Sequence, residues 1–310
     1  SLETYRSVER QNPGITNLLV MGPWTHGAWS RSAGDRLADI NFHVKTGEYY
    51  REKIELPFFR KFLKDDTNFV PTEAHIFETG TDQWRRFANW PPAAATQRIL
   101  YFRPGGALAF QPPIETGEAF DEYVSDPAKP VPFSLETTTD YPRGYPVHDQ
   151  RFAASRPDVL VYETEPLEED LTIAGPVAAD LQVSTSGTDS DWVVKLIDVH
   201  DADFPDPDPN PAYVRMGGYQ QLVRGDVMRG RFRNSFETPE PFEPGRVSAV
   251  SFTMPDVCHT FRRGHRVMVQ VQSSWFPLVD RNPQTFVNIA TAVPADFRKA
   301  TQRIHRSAGA

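Results

Sequence analysis

Hydrophobic and polar positions follow two different rhythms along this chain. Asn17-Leu18-Leu19-Val20-Met21 is a short, nearly continuous apolar run closed by Gly22-Pro23. Such a run predicts a strand buried on both faces, as in a parallel sheet covered by helices. From Gly47 to Lys64 the period becomes helical: Phe58, Phe59, Phe62 and Leu63 share one face, and Pro57 suits the first turn of that helix. One strand makes no sheet, so residues 1–65 read as the last strand–loop–helix unit of an α/β domain whose other strands lie outside this chain.

From residue 66 to 310 short alternating segments bounded by proline, glycine and aspartate take over. Val177 to Ser184 is apolar at odd positions, and Val250, Phe252 and Met254 alternate with Ser251 and Thr253. Val267, Val269 and Val271 alternate with Met268, Gln270 and Gln272. Each pattern predicts a half-buried strand. Trp192 to Val199 is apolar on both faces and is expected at the centre of a sheet. The segment 91–146, rich in Pro, Gly, Thr and acidic residues, carries only brief strand signals such as Arg98 to Phe102 and reads as long connections. The predicted class is mainly β, an antiparallel sandwich or jelly roll.

With 39% hydrophobic and 24% charged residues over 310 positions, the chain can bury a substantial core. Its net charge of −8, with basic residues scattered, argues against a nucleic-acid or anionic-membrane partner. No apolar stretch approaches the roughly 18 residues of a membrane span. Ser1-Leu2-Glu3-Thr4-Tyr5-Arg6 has neither the basic start nor the apolar run of a signal peptide. The single cysteine, Cys258, excludes an internal disulfide and a cysteine-based metal cluster.

Candidate chemistry concentrates at His26, in the loop directly after the first strand, where α/β enzymes gather catalytic groups. By position alone a packed or merely exposed histidine is the competing reading. Asp201, Asp203, Asp206 and Asp208 lack the glycine turn and terminal glutamate of a calcium loop and read as a proline-stiffened surface loop. His259 and His265 flank Phe261-Arg262-Arg263-Gly264, a turn between two strands. His43, His75, His200 and His305 stand isolated, so neither a metal nor an organic cofactor is expected. Trp84, Trp90, Trp192 and Trp275 read as core anchors.

Gly22-Pro23-Trp24-Thr25-His26-Gly27 resembles the G-P-W-x-H-G signature of the CocE/NonD-type serine hydrolases. These comprise cocaine esterase, α-amino-acid ester hydrolases, glutaryl-7-aminocephalosporanic acid acylases and X-Pro dipeptidyl peptidases. The resemblance continues through Phe77 to Trp84, Trp90-Pro91-Pro92, Tyr123 to Pro132, Asp149 to Phe152, Asp191 to Val199 and Ser273 to Pro277. It implies an α/β-hydrolase domain, ending at residue 65, followed by a jelly roll over 66–310. It also implies a Ser-Asp-His triad acting on small acyl esters, amides or peptides, with His26 as the general base. Trp24, Tyr145 and His148 become candidates for lining the substrate pocket, although plain packing accounts for the last two equally well. The same resemblance favours a periplasmic or secreted enzyme and a homo-oligomer for the full-length form.

The departure from the family pattern lies in the triad. Neither Ser30 nor Ser32 sits in a G-x-S-x-G elbow, and the family's aspartate turn would fall before Ser1. The expectation is a C-terminal portion, inactive alone, that needs its missing N-terminal catalytic portion as partner. Without that portion, Leu18–Met21 and Phe58–Leu63 should present an apolar surface prone to self-association. The alternative is a non-catalytic jelly-roll module that binds or interacts.

Overall fold

The computed structural model describes residues 1–114, 117–138 and 140–307, and the chain divides into two compact units. The first comprises Ser1–Thr96, Glu169–Pro176 and Pro255–Arg262. It opens with α1 (Leu2–Gln11) and β1 (Leu19–Met21), followed by α2 (Ala28–Arg31) and the hairpin β2 (Arg36–Leu37) and β3 (Ile40–Asn41). A helical run follows: α3 (Thr46–Tyr49), a π segment (Tyr50–Glu55) and α4 (Leu56–Lys64). β4 (Ala74–Glu78) pairs in parallel with β1 and antiparallel with β5 (Gln83–Phe87).

Pro57 falls in the first turn of α4, as expected, although α4 continues directly from the helical segments before it. Proline brings no N–H to the carbonyl four residues before it, here Lys53, and the wider π turn falls immediately ahead of it. Leu19 is buried while Val20 and Met21 are half-buried, so β1 is covered less completely than its apolar run suggests. Its core partners are Tyr5, Ala74, Ile76, Trp90 and Cys258. Buried Asp256 ties that core together, accepting from Trp90 Nε1 at 2.6 Å and pairing with Arg6.

The second unit, Gln97–Glu168, Val177–Met254 and Arg263–Ala310, is mainly β. Its strands are β6 (Tyr101–Arg103), β7 (Ala107–Ala109), β8 (Phe120–Ser125), β9 (Leu160–Glu163), β10 (Leu171–Thr185), β11 (Asp191–Val199), β12 (Gln220–Arg229), β13 (Ser248–Phe261), β14 (Arg266–Gln272) and β15 (Ala300–His305). β10 and β13 give their first and last residues, respectively, to the first unit. The sheet orders are β13-β10-β15-β8 and β12-β11-β14-β9-β7-β6. β6 overlaps the brief strand signal at Arg98 to Phe102, whereas β7 and β8 arise where only connections were expected.

Leu181, Val183, Val250, Met254 and Ile304 of the four-stranded sheet pack against Tyr162, Trp192, Val194, Met228 and Val271 of the six-stranded one. That is the sandwich core. The opposite face of the six-stranded sheet is also covered, by Phe133 and Trp275 over Val193, Ile197, Leu222 and Met268. This second layer explains why β14 is not half-exposed: Met268, Gln270 and Gln272 are as buried as the valines between them. The glutamine amide nitrogens find local acceptors, with Gln272 Nε2 donating to the Ser274 carbonyl at 2.6 Å and Gln270 Nε2 to the Gln150 carbonyl at 3.3 Å. β11 is an interior strand, paired with β12 on one side and β14 on the other, one place in from the sheet edge, and eight consecutive residues of it are buried. Among the described residues no helix is long and apolar enough to cross a membrane.

Candidate functional site

His26 lies in a turn immediately beyond β1, and local contacts dictate the turn's shape. The Trp24 N–H donates to the Gly22 carbonyl at 2.9 Å, folding the indole back over Gly22. Any Cβ at Gly22 would meet that ring at 2.5 Å. Gly27 adopts φ 78°, a left-handed conformation that glycine enters without a steric penalty, and starts the short helix α2. His26 is left exposed at the tip, with the Trp29 ring edge-on at 6.0 Å. Arg51 braces the following turn by donating to the Trp29 carbonyl at 2.6 Å and the Ser32 carbonyl at 3.0 Å.

Trp24 is half-buried, and its indole N–H donates to Thr46 Oγ1 at 2.8 Å. The Thr46 hydroxyl in turn donates a hydrogen bond to the Gly34 carbonyl. Tyr50 and Trp84 close on the indole, with ring centres at 5.3 and 5.7 Å. This is a rigid aromatic platform with one exposed imidazole on its rim.

Beside β1 lies a cavity of about 240 Å³, lined among others by Leu18, Val20, Ile54, Phe58, Phe59 and His75. Burial, reinforced by Arg86, lowers the His75 pKa to about 4, so its ring is neutral. The rim continues into exposed Phe59, Phe62 and Leu63, the last 70% accessible.

Tyr145 and His148 belong to the second unit. Tyr145 opens a 3-10 turn, its ring set against Phe133, Tyr141 and Trp275 at 5.6, 5.0 and 6.2 Å. Burial holds its hydroxyl protonated well above the usual phenol range. The half-buried His148 receives, at its carbonyl, hydrogen bonds from Gln150 Nε2 and the Leu222 N–H. Trp24 and His26 thus share one turn, and Tyr145 and His148 another.

Two buried polar features went unread in the sequence. Lys195, in the middle of β11, is 0% exposed. Its ammonium donates to Gln150 Oε1 at 3.0 Å and lies 5.5 Å from the Trp275 ring centre. Burial lowers its pKa to about 7. The second feature gathers Asp198, His200 and His265, all buried, with one ligand-type atom of each within 4.8 Å of the others. His200 is therefore not isolated. The signal was present as Asp198-Val199-His200, where a strand's period of two puts both polar residues on one face.

Comparison with known proteins agrees with this geometry. Residues 71–310 match the family described as the X-Pro dipeptidyl-peptidase C-terminal non-catalytic domain. Cocaine esterase of Rhodococcus sp. (strain MB1 Bresler) is 33% identical over 93% of this chain and 49% of its own length. An aminopeptidase from a marine-sediment Thaumarchaeota archaeon superposes with a TM-score of 0.92 at 44% identity, covering 100% of this chain and 51% of that one. A solved α-amino acid ester hydrolase gives 0.91 at 45% identity, over 99% of this chain and 51% of its own. The chain spans about half the length of these relatives. It belongs to the X-Pro dipeptidyl-peptidase C-terminal domain family and corresponds to the C-terminal part of CocE/NonD-type hydrolases.

Proposed function

We propose that this chain supplies His26 as the general base of a Ser-Asp-His triad whose serine and aspartate come from an N-terminal catalytic portion of the same enzyme. Residues 1–65 would complete the α/β catalytic domain, and 66–310 would form the jelly roll that follows. The reaction would be hydrolysis of small acyl esters or amides, such as α-amino-acid esters, β-lactam side chains or X-Pro peptides. The observation that carries this reading is His26 itself, exposed at the tip of a strand-end turn while the residues around it are locked by packing and hydrogen bonds.

In that role the imidazole takes the proton from the serine hydroxyl as it attacks the acyl carbon and returns it to the leaving group. The aspartate would hold the ring's tautomer and stabilise the imidazolium. β1 pairs only with β4 among the described residues, leaving its other edge for the rest of the parallel sheet. The apolar rim formed by Phe59, Phe62 and Leu63 suits cover from the same missing portion.

The test compares full-length enzyme with its His26→Ala variant on an activated acyl ester. Turnover should fall by about 10⁴–10⁶-fold with the fold retained. The 310-residue chain alone should show no acyl-enzyme burst and no fluorophosphonate labelling. Stoichiometric labelling of a serine in that chain, or full turnover by the variant, would overturn the proposal.

A further inference from the structure

We propose that Asp198, His200 and His265 form an interior site for a divalent transition-metal cation of the zinc class. The three come from a rigid frame. Asp198 is the penultimate residue of β11, and His200 follows the end of that strand directly. His265 immediately precedes β14, which pairs with β11 through Asp198 and Val267. Their exposures are 1%, 7% and 5%, so a bound ion would be screened from solvent.

The donor set suits one class of ion. Two imidazole nitrogens and one carboxylate oxygen are borderline ligands of net charge −1, favoured by Zn(II), Co(II) and Ni(II) over calcium or magnesium, which take mostly oxygen. His265 Nδ1 already stands 2.8 Å from Asp198 Oδ1. The His200 and His265 ring centres are 4.9 Å apart. Ligands about 2.0–2.1 Å from a tetrahedral ion lie roughly 3.3 Å from one another. Closing from the present spread, within 4.8 Å, takes a shift on the order of 1 Å.

An outer contact orients the His200 ring as metal sites require. Gln221 Oε1 can only accept, so at 3.1 Å it takes the His200 Nε2 proton and makes Nδ1 that ring's basic nitrogen. Coordination through His265 Nδ1 moves its proton to Nε2, leaving the ring neutral while metal bonds replace the hydrogen bond to Asp198. Phe204 and Tyr219 pack beside His200, at ring-centre distances of 4.5 and 5.7 Å, and give the site an apolar wall.

Titration of metal-stripped protein with Co(II), followed by visible d–d absorption, tests the proposal. One equivalent should bind with a four- or five-coordinate spectrum, and Zn(II) should displace it. His200→Gln and Asp198→Asn should each weaken binding by at least about 100-fold, and Gln221→Leu by about 10–100-fold. Zn(II) should also perturb the ring signals of two of the eight histidines by NMR. That measurement needs no variant and stands even where the substitutions impair folding. Absence of saturable Co(II) uptake, uptake unchanged in both ligand variants, or Zn(II) shifts at histidines other than His200 and His265 would each overturn the site.

Discussion

Replacing Lys195 by methionine should stabilise the sandwich at neutral pH, and the gain should fade as pH rises. The ammonium is fully buried, and burial lowers its pKa from the ordinary 10.5 to about 7. Between those values the unfolded chain holds the proton more tightly than the folded one, so folding is penalised there. The penalty is absent above pH 10.5 and complete below about 7. At about 1.4 kcal/mol per unit, it reaches roughly 4 kcal/mol at pH 7 and roughly 2 kcal/mol at pH 9. Methionine fills similar volume but leaves Gln150 Oε1 without its donor, which costs about 1–2 kcal/mol. The net gain is therefore about 2–3 kcal/mol at pH 7 and near zero at pH 9. Urea unfolding followed by tryptophan fluorescence at both pH values measures it. Equal destabilisation by Lys195→Met at pH 7 and 9 would show that the ammonium is charged in place and stabilised by Gln150 and the Trp275 face, refuting the reasoning.

Arg231→Met should destabilise the second unit by about 3–5 kcal/mol, because it strands the carboxylate of Asp189. Asp189 is 0% exposed and takes Arg231 Nε and Nη2 at 2.9 and 2.6 Å, so the loss should show in a denaturant midpoint. Gly27→Ala forces a Cβ into the left-handed region at φ 78°, and a melting curve should register about 1–2 kcal/mol. Burial, aided by Glu78, pushes the Cys258 thiol up to about 12, so a disulfide reagent at pH 8 should label it only on unfolding. Charging the exposed apolar rim, as in Phe62→Lys with Leu63→Lys, should lower self-association of the 310-residue chain in sedimentation velocity.

The strands were legible wherever burial differs between the two faces or is complete on both. Val250, Phe252 and Met254 lie against the core with Ser251 and Thr253 outward, and Trp192 to Val199 is buried on both faces, although its strand is second from the sheet edge rather than central. β14 misled because its glutamines look like solvent residues. A second apolar layer and local carbonyl acceptors bury them, and alternation cannot report such a layer. The same blindness hid Lys195: one polar letter in an apolar strand does not reveal which side chains close over it. The G-P-W-x-H-G string pointed to His26, and its glycines have local steric reasons. His200 and His265 were missed as a group because 64 intervening residues separate them, and only pairing of β11 with β14 brings their strands together. Pro57 was read correctly as a first-turn proline, but nothing in the residue pattern showed the π segment that runs into it.

The interleaved composition of the first unit bears on the order in which the protein is made. Arg6 and Trp90 converge on Asp256, and Thr79 bridges to His259. During synthesis the early segment must therefore persist without its closing strand until the residues around 262 leave the ribosome. Long-range closure of this kind is slow and leaves apolar surface open meanwhile. Most of the sandwich segments lie between these two parts of the first unit, so in a growing chain they emerge before the core around Leu19, Trp90 and Cys258 can close. Yield of folded protein should consequently depend on translation speed through residues 97–254 more than on the stability of either finished unit.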